Sequence, residues 1–283
     1  MTKPIYRSER GRREIEDRYR GLLGSSPVPL RTRMVGGGDQ RIHVAEAGDP
    51  AADPLVLLHG SASNSATWLG DVPQWSRSFR VVAIDIPGHP GLSEGPVVPF
   101  EAGAGAAWLE GMLDAIGLPE VRLVGISLGG WIALEFASAY AERVQAMSLL
   151  SPGGVTKPRM SFVFKVIPLA LLGDRGSDRV QRMVFAPQPV PEGVYEFGRL
   201  VARHYRPITK PVPVLSDEQL RALTMPVQVF LGKHDALMRS EESAERMGRM
   251  VPSVEVRLLE DEGHAIVGRA AEIGAFQSAV VTR

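Results

Sequence analysis

The feature of this sequence that most limits its fold is an alternation of short apolar runs with helical segments, which begins near residue 41. The runs end in glycine-rich or polar turns, and helical periodicity fits residues 102–116 and 131–143 between them. Parallel strands buried on both faces look like this, because helices cover each side of the sheet. Seven strands are predicted, over residues 41–47, 55–59, 80–86, 121–126, 146–150, 227–231 and 254–259. The sequence therefore predicts an α/β fold with a mostly parallel central sheet flanked by helices.

Residues 155–216 interrupt this alternation. The segment is rich in proline and contains three stretches of helical character, at 160–172, 177–185 and 191–205. Ligands of open α/β sheets bind beyond the carboxyl ends of the strands, where an insertion of this kind would lie. We predict a helical cap over 155–216, inserted between the core segments 34–154 and 217–283. The sequence leaves open whether its apolar side chains pack on the core or line a pocket.

Residues 1–33 form a segment of basic character. Nine Lys or Arg residues face four acidic ones, and Glu14, Glu16 and Asp17 lie among the basic positions. The segment could be an arm that docks on an anionic partner or an amphipathic helix on the domain surface. Acidic and basic residues at this spacing form ion pairs along a helix, which favours the second interpretation. We predict an N-terminal basic helical extension without a chemical role.

Composition removes several classes of function. The 32 basic residues balance the 32 acidic ones, whereas nucleic-acid-binding proteins usually have a basic excess, so no nucleic-acid partner is predicted. The chain has no cysteine, which excludes thiol nucleophiles and cysteine-ligated metals. No run approaches the roughly 18 apolar residues of a membrane span, and charged residues follow Arg12 and Arg13 where a secretory signal would be apolar. These features predict a cytoplasmic protein that acts on a small molecule, and they do not predict its oligomeric state.

One serine lies in a turn suited to a nucleophile. The run Gly125-Ile126-Ser127-Leu128-Gly129 directly follows a predicted strand and directly precedes a predicted helix. This is the G-x-S-x-G pattern, in which glycines allow a turn so sharp that side chains would collide with the strand and helix. The alternative is a glycine-rich turn of structural importance only, which would not require a base and an acid farther along the chain. The pattern therefore predicts Ser127 as a nucleophile.

A serine hydroxyl needs a base, usually a histidine, and a carboxylate that orients the histidine. After a serine turn of this type, the acid and then the histidine follow along the chain. His264 comes after the last predicted strand, and the preceding Gly263 gives its loop freedom. His43 lies in a strand, His59 precedes the serine, and His204 falls in the predicted cap. We predict His264 as the base.

The acid is expected in the loop after the preceding strand, where Asp235 follows residues 227–231. Glu241 and Glu242 compete for this role, but they resemble the first turn of an exposed helix, where acidic residues meet the helix dipole. Asp261 and Glu262 also compete, although their closeness in sequence to the base makes a side-on contact awkward. Asp235 is the predicted acid, and His234 is interpreted as its loop neighbour.

Attack by the serine creates an oxyanion, which needs hydrogen-bond donors already in place. The backbone N–H of Leu128, at the start of a helix, is one predicted donor. The loop His59-Gly60-Ser61 supplies the other through the N–H of Ser61, so the side chain of residue 61 is not expected to matter. His59 is interpreted as a structural hydrogen-bonding residue under this loop. The set requires no metal or organic cofactor, and none is predicted.

With Ser127, Asp235 and His264 in this order, the chain resembles the serine type of the α/β-hydrolase superfamily over residues 54–265. Its cap position is similar to that of lidded bacterial carboxylesterases. The resemblance implies hydrolysis of a carboxylic ester of a small, largely apolar substrate through an acyl-enzyme. It leaves open thioester, lactone or carbon–carbon bond hydrolysis, perhydrolysis, and a non-catalytic ligand receptor that retains the triad.

Two positions depart from the family pattern. The run from Asp85 to Ser93 has one residue more than the usual motif, which raises the alternative that His89 faces the pocket. Arg269 stands where the family often has a glutamate, five residues after His264. We expect this second difference to affect helix docking more than chemistry.

Overall fold

The computed structural model describes residues 4–280. Residues 1–3 of the predicted extension and residues 281–283 of the predicted core lie outside the described residues, and the side chain of Val163 is likewise not described. The strands are β1 (Arg31–Gly37), β2 (Gln40–Ala47), β3 (Pro54–Leu58), β4 (Arg80–Ile84), β5 (Val121–Ile126), β6 (Val144–Leu150), β7 (Val227–Gly232) and β8 (Val254–Leu259). The α-helices are α1 (Glu9–Gly24), α2 (Val72–Trp75), α3 (Ala104–Ile116), α4 (Leu128–Ala139), α5 (Met160–Leu169), α6 (Gly173–Phe185), α7 (Glu192–His204), α8 (Asp217–Arg221), α9 (Ser240–Met250) and α10 (Ala270–Ala279).

Within residues 4–280 the strands form one eight-stranded sheet in the order β1-β2-β4-β3-β5-β6-β7-β8. β2 pairs antiparallel with β1 and β4, and all other neighbouring strands are parallel. In β3, Leu55 and Leu57 face one hydrophobic core, whereas Val56 and Leu58 face the other. All four side chains are fully buried, as expected where helices cover both faces of a parallel sheet. The predicted α/β fold with a mostly parallel sheet is confirmed.

The structure corrects the sequence prediction at β1. None of the predicted strands covers residues 31–37, and residues 31–33 fall in the predicted N-terminal extension. The segment instead pairs with β2 along its length at the edge of the sheet. Only Val35 of this strand is buried, so the alternation of apolar and polar side chains that marks a strand in sequence is missing. Backbone pairing with β2, rather than burial, defines this strand.

Between β6 and β7 the structure places α5, α6 and α7, with a short 3-10 turn (Ala170–Leu172) after α5. A bidentate ion pair joins α7 to α6, because Nε and Nη2 of Arg199 each donate to a carboxylate oxygen of Asp178 at 2.7 Å. α7 also packs against α1 in a small apolar cluster formed by Ile15, Val201 and Tyr205. The inserted helices are therefore held by the N-terminal helix as well as by the core.

α1 is an amphipathic helix. The Ser8 hydroxyl caps it by accepting a hydrogen bond from Gly11 N at 3.0 Å, and Arg10 pairs with Glu14 one turn later at 2.8 Å. Tyr19 on its opposite face is fully buried, and its hydroxyl donates to Asp85 Oδ1 at 2.8 Å. Across residues 4–280, we find no helix with the length and apolar character needed to cross a membrane.

Candidate active site

Ser127 occupies a strained turn between β5 and α4. Its φ of 52° and ψ of −107° lie outside the regions that residues with side chains usually adopt. A side chain at Gly125 would meet the backbone of Gly129 at 2.6 Å, and a side chain at Gly129 would run into the Leu58 carbonyl of β3. Glycine at these two positions therefore permits the turn that presents the serine at the carboxyl end of the sheet.

The structure brings Ser127, His264 and Asp235 together from three separate loops. His264 Nε2 lies 3.1 Å from Ser127 Oγ, and His264 Nδ1 lies 2.8 Å from Asp235 Oδ2. Asp235 and His264 are buried, with 3% and 7% of their surfaces exposed, whereas Ser127 is half-buried. Since a carboxylate can only accept, Nδ1 carries the proton toward Asp235 and Nε2 is free to accept from the serine.

The second carboxylate oxygen of Asp235, Oδ1, is also fixed by hydrogen bonds. Oδ1 accepts hydrogen bonds from the backbone N–H groups of Leu237 at 2.7 Å and Met238 at 2.8 Å. Burial alone would raise the pKa of Asp235, but the His264 charge and hydrogen bond, together with these two N–H groups, lower it below its ordinary value. The carboxylate is therefore ionised and fixed in orientation at neutral pH.

The two predicted oxyanion donors lie in segments that border Ser127. A side chain at Gly60 would come 3.6 Å from the Cβ of Ser127, so the loop that carries Ser61 runs beside the serine. The His59 carbonyl accepts from Gly129 N at 3.1 Å, which ties this loop to the start of α4 at Leu128. Within residues 4–280, neither the Ser61 nor the Leu128 N–H donates to a protein acceptor. Both donors are thus available to a ligand.

The histidines that the sequence set aside lie elsewhere. His59 is fully buried and accepts from Ile86 N at 2.9 Å, and burial lowers its pKa despite the nearby Asp85 carboxylate. His43 lies in β2 with Nδ1 at 3.2 Å from an Asp85 oxygen. His204 ends α7 and faces Glu14 of α1 at 3.1 Å. None of these three contacts Ser127 Oγ.

The competing acids also lie away from His264 Nδ1. Glu241 and Glu242 are exposed in the first turn of α9, as the sequence suggested. Asp261 is exposed, and Glu262 forms an ion pair with Arg269 at 3.1 Å. Arg269, at the position that departs from the family pattern, therefore holds the loop between β8 and α10.

His89 is buried under the loop that follows β3, with 3% of its surface exposed. Its Nδ1 accepts a hydrogen bond from Ala62 N at 3.2 Å and lies 3.3 Å from the Tyr205 hydroxyl. Burial, with a smaller contribution from His59, lowers the pKa of His89 to about 3. The observed contacts give this neutral histidine a structural role beneath residues 61–62.

Sequence reasoning missed the contacts that the inserted helices make with the loops of the site. At the end of α6, the Val184 carbonyl accepts from His264 N at 2.9 Å and from Ala265 N at 3.1 Å. Just before α5, Arg159 donates through its backbone N–H to the Leu237 carbonyl at 2.7 Å and through Nε to the Met238 carbonyl at 2.9 Å. Backbone carbonyls carry no residue-type signature, so no sequence signal could have identified them.

Comparison with known proteins gives concordant results. A sequence profile described as the Alpha/beta hydrolase family matches residues 55–275, well over half of the chain. Two relatives from Bacillus subtilis are each 28% identical to this chain. They are named "Uncharacterized carboxylesterase nap" and "Carboxylesterase YbfK". The alignments cover 88% of this chain in both cases and 85% and 86% of the relatives. The crystal structure of the carboxylesterase CesB (YbfK) from the same organism superposes with a TM-score of 0.83 at 22% identity, covering 95% of this chain and 97% of that one.

Proposed function

Because the chain belongs to the Alpha/beta hydrolase family, we propose that Ser127, His264 and Asp235 form the catalytic triad of a carboxylic ester hydrolase. The carboxylesterase names of the Bacillus relatives support this reaction. The continuous hydrogen-bond path from Asp235 through His264 to Ser127 is the observation that carries the proposal.

Acylation follows from this geometry. His264 Nε2 removes the proton from Ser127 Oγ as the oxygen attacks the ester carbonyl carbon. Asp235 holds the protonated imidazole and stabilises its positive charge. His264 then donates the proton to the departing alcohol oxygen as the carbon–oxygen bond breaks, which leaves the acyl group on Ser127.

The N–H groups of Ser61 and Leu128 stabilise the negative oxygen of each tetrahedral intermediate. Water then enters the site, His264 accepts its proton, and the hydroxide attacks the acyl carbon. Collapse of the second intermediate returns the proton to Ser127 and releases the carboxylic acid. Every proton transfer is handled by a side chain of this protein, so the proposed cycle uses no cofactor.

We assign residues 155–216 as the cap over this site and residues 31–154 and 217–283 as the core, which begins at 31 rather than 34 so that it includes all of β1. The contacts of Arg159 and Val184 with the loops of Asp235 and His264 support this division. Half-buried apolar residues on one face of α5, namely Phe162, Val166 and Leu169, support a small, largely apolar substrate. Cytoplasmic location and the lack of a nucleic-acid partner stay predictions.

The test is turnover of short aryl esters together with covalent labelling by a fluorophosphonate. Ser127→Ala should lose labelling and reduce kcat by about 10⁶-fold, since it removes the nucleophile. Ser61→Ala is the matched control, because only the backbone N–H of residue 61 takes part, and it should keep both properties. An unlabelled wild-type Ser127 in folded protein would overturn the proposal and favour a ligand receptor.

Other acyl substrates pass through the same intermediate, so the choice among them needs a substrate panel. Thioesters, lactones, carbon–carbon bonds flanked by ketones, and perhydrolysis should be compared with esters on the wild type beside Ser127→Ala. We expect the highest kcat/KM for carboxylic esters.

A further inference from the structure

One face of α5 presents an apolar stripe to solvent. Met160, Phe164 and Ile167 are 54%, 69% and 60% exposed, and Leu171 in the following turn is 86% exposed. Their spacing of three or four residues places them along one side of the segment. Together with Leu172, they are five of the eight large apolar side chains that are exposed within residues 4–280. Exposed apolar side chains gathered in this way mark an interaction surface.

The same part of the chain carries an unbalanced positive charge. Between residues 155 and 191 six basic residues are exposed, namely Lys157, Arg159, Lys165, Arg175, Arg179 and Arg182. The segment has only two acidic residues, Asp174 and Asp178, and both are ion-paired with arginines of α7. The whole chain has a formal net charge of zero, so this positive excess is local.

We propose that α5 and the turn after it, residues 160–172, dock on the surface of an anionic phospholipid bilayer. An apolar helical stripe flanked by basic side chains is the arrangement that inserts at the boundary between lipid headgroups and acyl chains. Basic residues near an anionic leaflet are attracted to its negative surface charge. The proposed contact is peripheral and needs no membrane-spanning helix.

Charge favours this occupant over a second copy of the chain. Two copies packed through the same stripe about a two-fold axis would bring identical basic residues toward each other. Like charges across an interface oppose association, whereas lipid phosphates neutralise them. The stripe and the basic residues therefore match a lipid surface better than they match themselves.

The stretch from Arg159 to Val184, which contains the docked segment, is tied at both ends to the proposed catalytic loops. The Arg159 N–H donates a hydrogen bond to the loop after Asp235, and the Val184 carbonyl accepts one from His264 N. Docking through α5 would hold the cap and the loops of the site close to the bilayer, where apolar esters concentrate. Delivery of substrate from the bilayer rests on the proposed function, whereas vesicle binding does not.

The test is co-sedimentation of the full chain with phosphatidylcholine vesicles that contain about one third phosphatidylglycerol. We expect binding to these vesicles, weaker binding in high salt, and little binding to pure phosphatidylcholine. Phe164→Ser with Leu171→Ser, or Arg175→Glu with Arg179→Glu, should weaken binding about tenfold or more. Circular dichroism and the thermal midpoint establish that each variant is folded.

Matched controls change exposed residues outside residues 155–191, the segment that carries the apolar stripe and the basic excess. Met34→Ser with Val214→Ser removes two exposed apolar side chains, and Arg77→Glu with Arg249→Glu reverses two exposed charges. Both control pairs should bind vesicles like the wild type. Failure of the wild type to bind, or equal weakening by test and control pairs, would overturn the proposal.

A second copy is tested by sedimentation velocity without lipid. A wild-type dimer that Phe164→Ser with Leu171→Ser converts to monomer would also overturn lipid docking. Because vesicle binding requires no turnover, Ser127→Ala should bind vesicles like the wild type. Failure of the esterase proposal and failure of the docking proposal are therefore separate results.

Discussion

The two carboxylate oxygens of Asp235 have different partners, and this difference fixes the proton on His264. Oδ1 receives the N–H groups of Leu237 and Met238, and Oδ2 receives Nδ1 of His264. A backbone N–H can only donate, so the atom of residue 235 that faces Leu237 N and Met238 N must be an acceptor oxygen. Whatever atom replaces Oδ2 therefore decides which nitrogen of His264 carries hydrogen.

Asp235→Asn should consequently act through the tautomer of His264. The amide oxygen would remain on the side of Leu237 and Met238, which directs the amide NH₂ group at Nδ1. Nδ1 would then have to accept, Nε2 would carry the proton, and the base could no longer take the proton of Ser127. We expect kcat for an aryl ester to fall by about 10⁴-fold with the fold intact, measured by steady-state kinetics.

The competing acids provide the controls for this substitution. Asp261→Asn and Glu242→Gln remove exposed carboxylates that lie away from His264 Nδ1. Neither should change kcat by more than about twofold, because surface substitutions away from special features have small effects. A large loss in either variant, with little loss in Asp235→Asn, would reassign the acid.

At the residue scale, the sequence predicted the side chains of the site better than its backbone contacts. Ser127, Asp235 and His264 could be selected because glycines surround the serine and because acid and histidine each follow a strand. The structure brings these three together, and their catalytic roles stay predictions. The carbonyl of Val184 and the N–H groups behind Asp235 had no such signal, since every residue type carries them.

Among the elements, the end of α6 and the loop after β8 form a tightly packed seam. Gly263 packs so tightly here that an added side chain would collide with the carbonyl oxygens of Val184 and Ala186. The same Val184 oxygen accepts from His264 and Ala265. The end of α6 therefore helps to position the loop of His264 through backbone hydrogen bonds.

Gly263→Ala should disturb both stability and catalysis through this seam. Overpacking of this kind costs about 1–3 kcal/mol of unfolding free energy. Displacement of His264 by about 1 Å can lower kcat about 100-fold, because proton transfer depends on alignment. Chemical denaturation and steady-state kinetics measure the two effects.

Gly193→Ala is the matched control for the seam. Gly193 lies in the first turn of α7, where an added side chain meets nothing within 4 Å. This variant should keep wild-type kcat and stability. If Gly263→Ala kept wild-type kcat as well, the position of His264 would be independent of the cap.

The predictability of the elements followed their burial. Each of the seven strands that the sequence predicted lies within two residues of its observed bounds, because these strands carry apolar side chains that are buried or, in β8, half-buried. β1 was missed because a mostly exposed edge strand is held by its pairing with β2. The sequence also placed the start of α6 at 177 rather than at Gly173, since Gly173-Asp174-Arg175-Gly176 has no apolar periodicity.

Across the whole molecule, buried neutral histidines couple folding to pH. His89 keeps a folded pKa of about 3 against an ordinary value of 6.5, because its ring is desolvated. Below pH 6.5 the unfolded chain binds a proton at this position that the folded protein excludes until about pH 3. Above pH 6.5 His89 therefore does not lower the free energy of unfolding, and as the pH falls from 6.5 toward 3 this free energy decreases.

His89→Asn should remove this part of the acid sensitivity. The asparagine oxygen can accept from Ala62 N as Nδ1 does, so the variant keeps the hydrogen bond without the titration. Between pH 6 and pH 4.5, the unfolding free energy of the wild type should fall relative to the variant by about 1.4 kcal/mol per pH unit. Urea denaturation at several pH values measures the difference. Other groups, such as Asp71, whose burial raises its pKa to about 6, contribute to both proteins and cancel.

Tyr205→Phe separates the effect of His89 titration from the effect of losing a hydrogen bond beside His89. It removes the hydroxyl that donates to the Gly88 carbonyl at 3.0 Å and lies beside His89, but it removes no group that titrates in this window. Loss of such a buried hydrogen bond costs about 1–3 kcal/mol at every pH. The plot of unfolding free energy against pH should therefore move down without a change in slope. If His89→Asn only shifted the curve in the same way, His89 would be protonated in the folded protein and acid sensitivity would come from elsewhere. If it reduced the slope, the histidine beneath the loop after β3 would set a lower pH limit for the folded site.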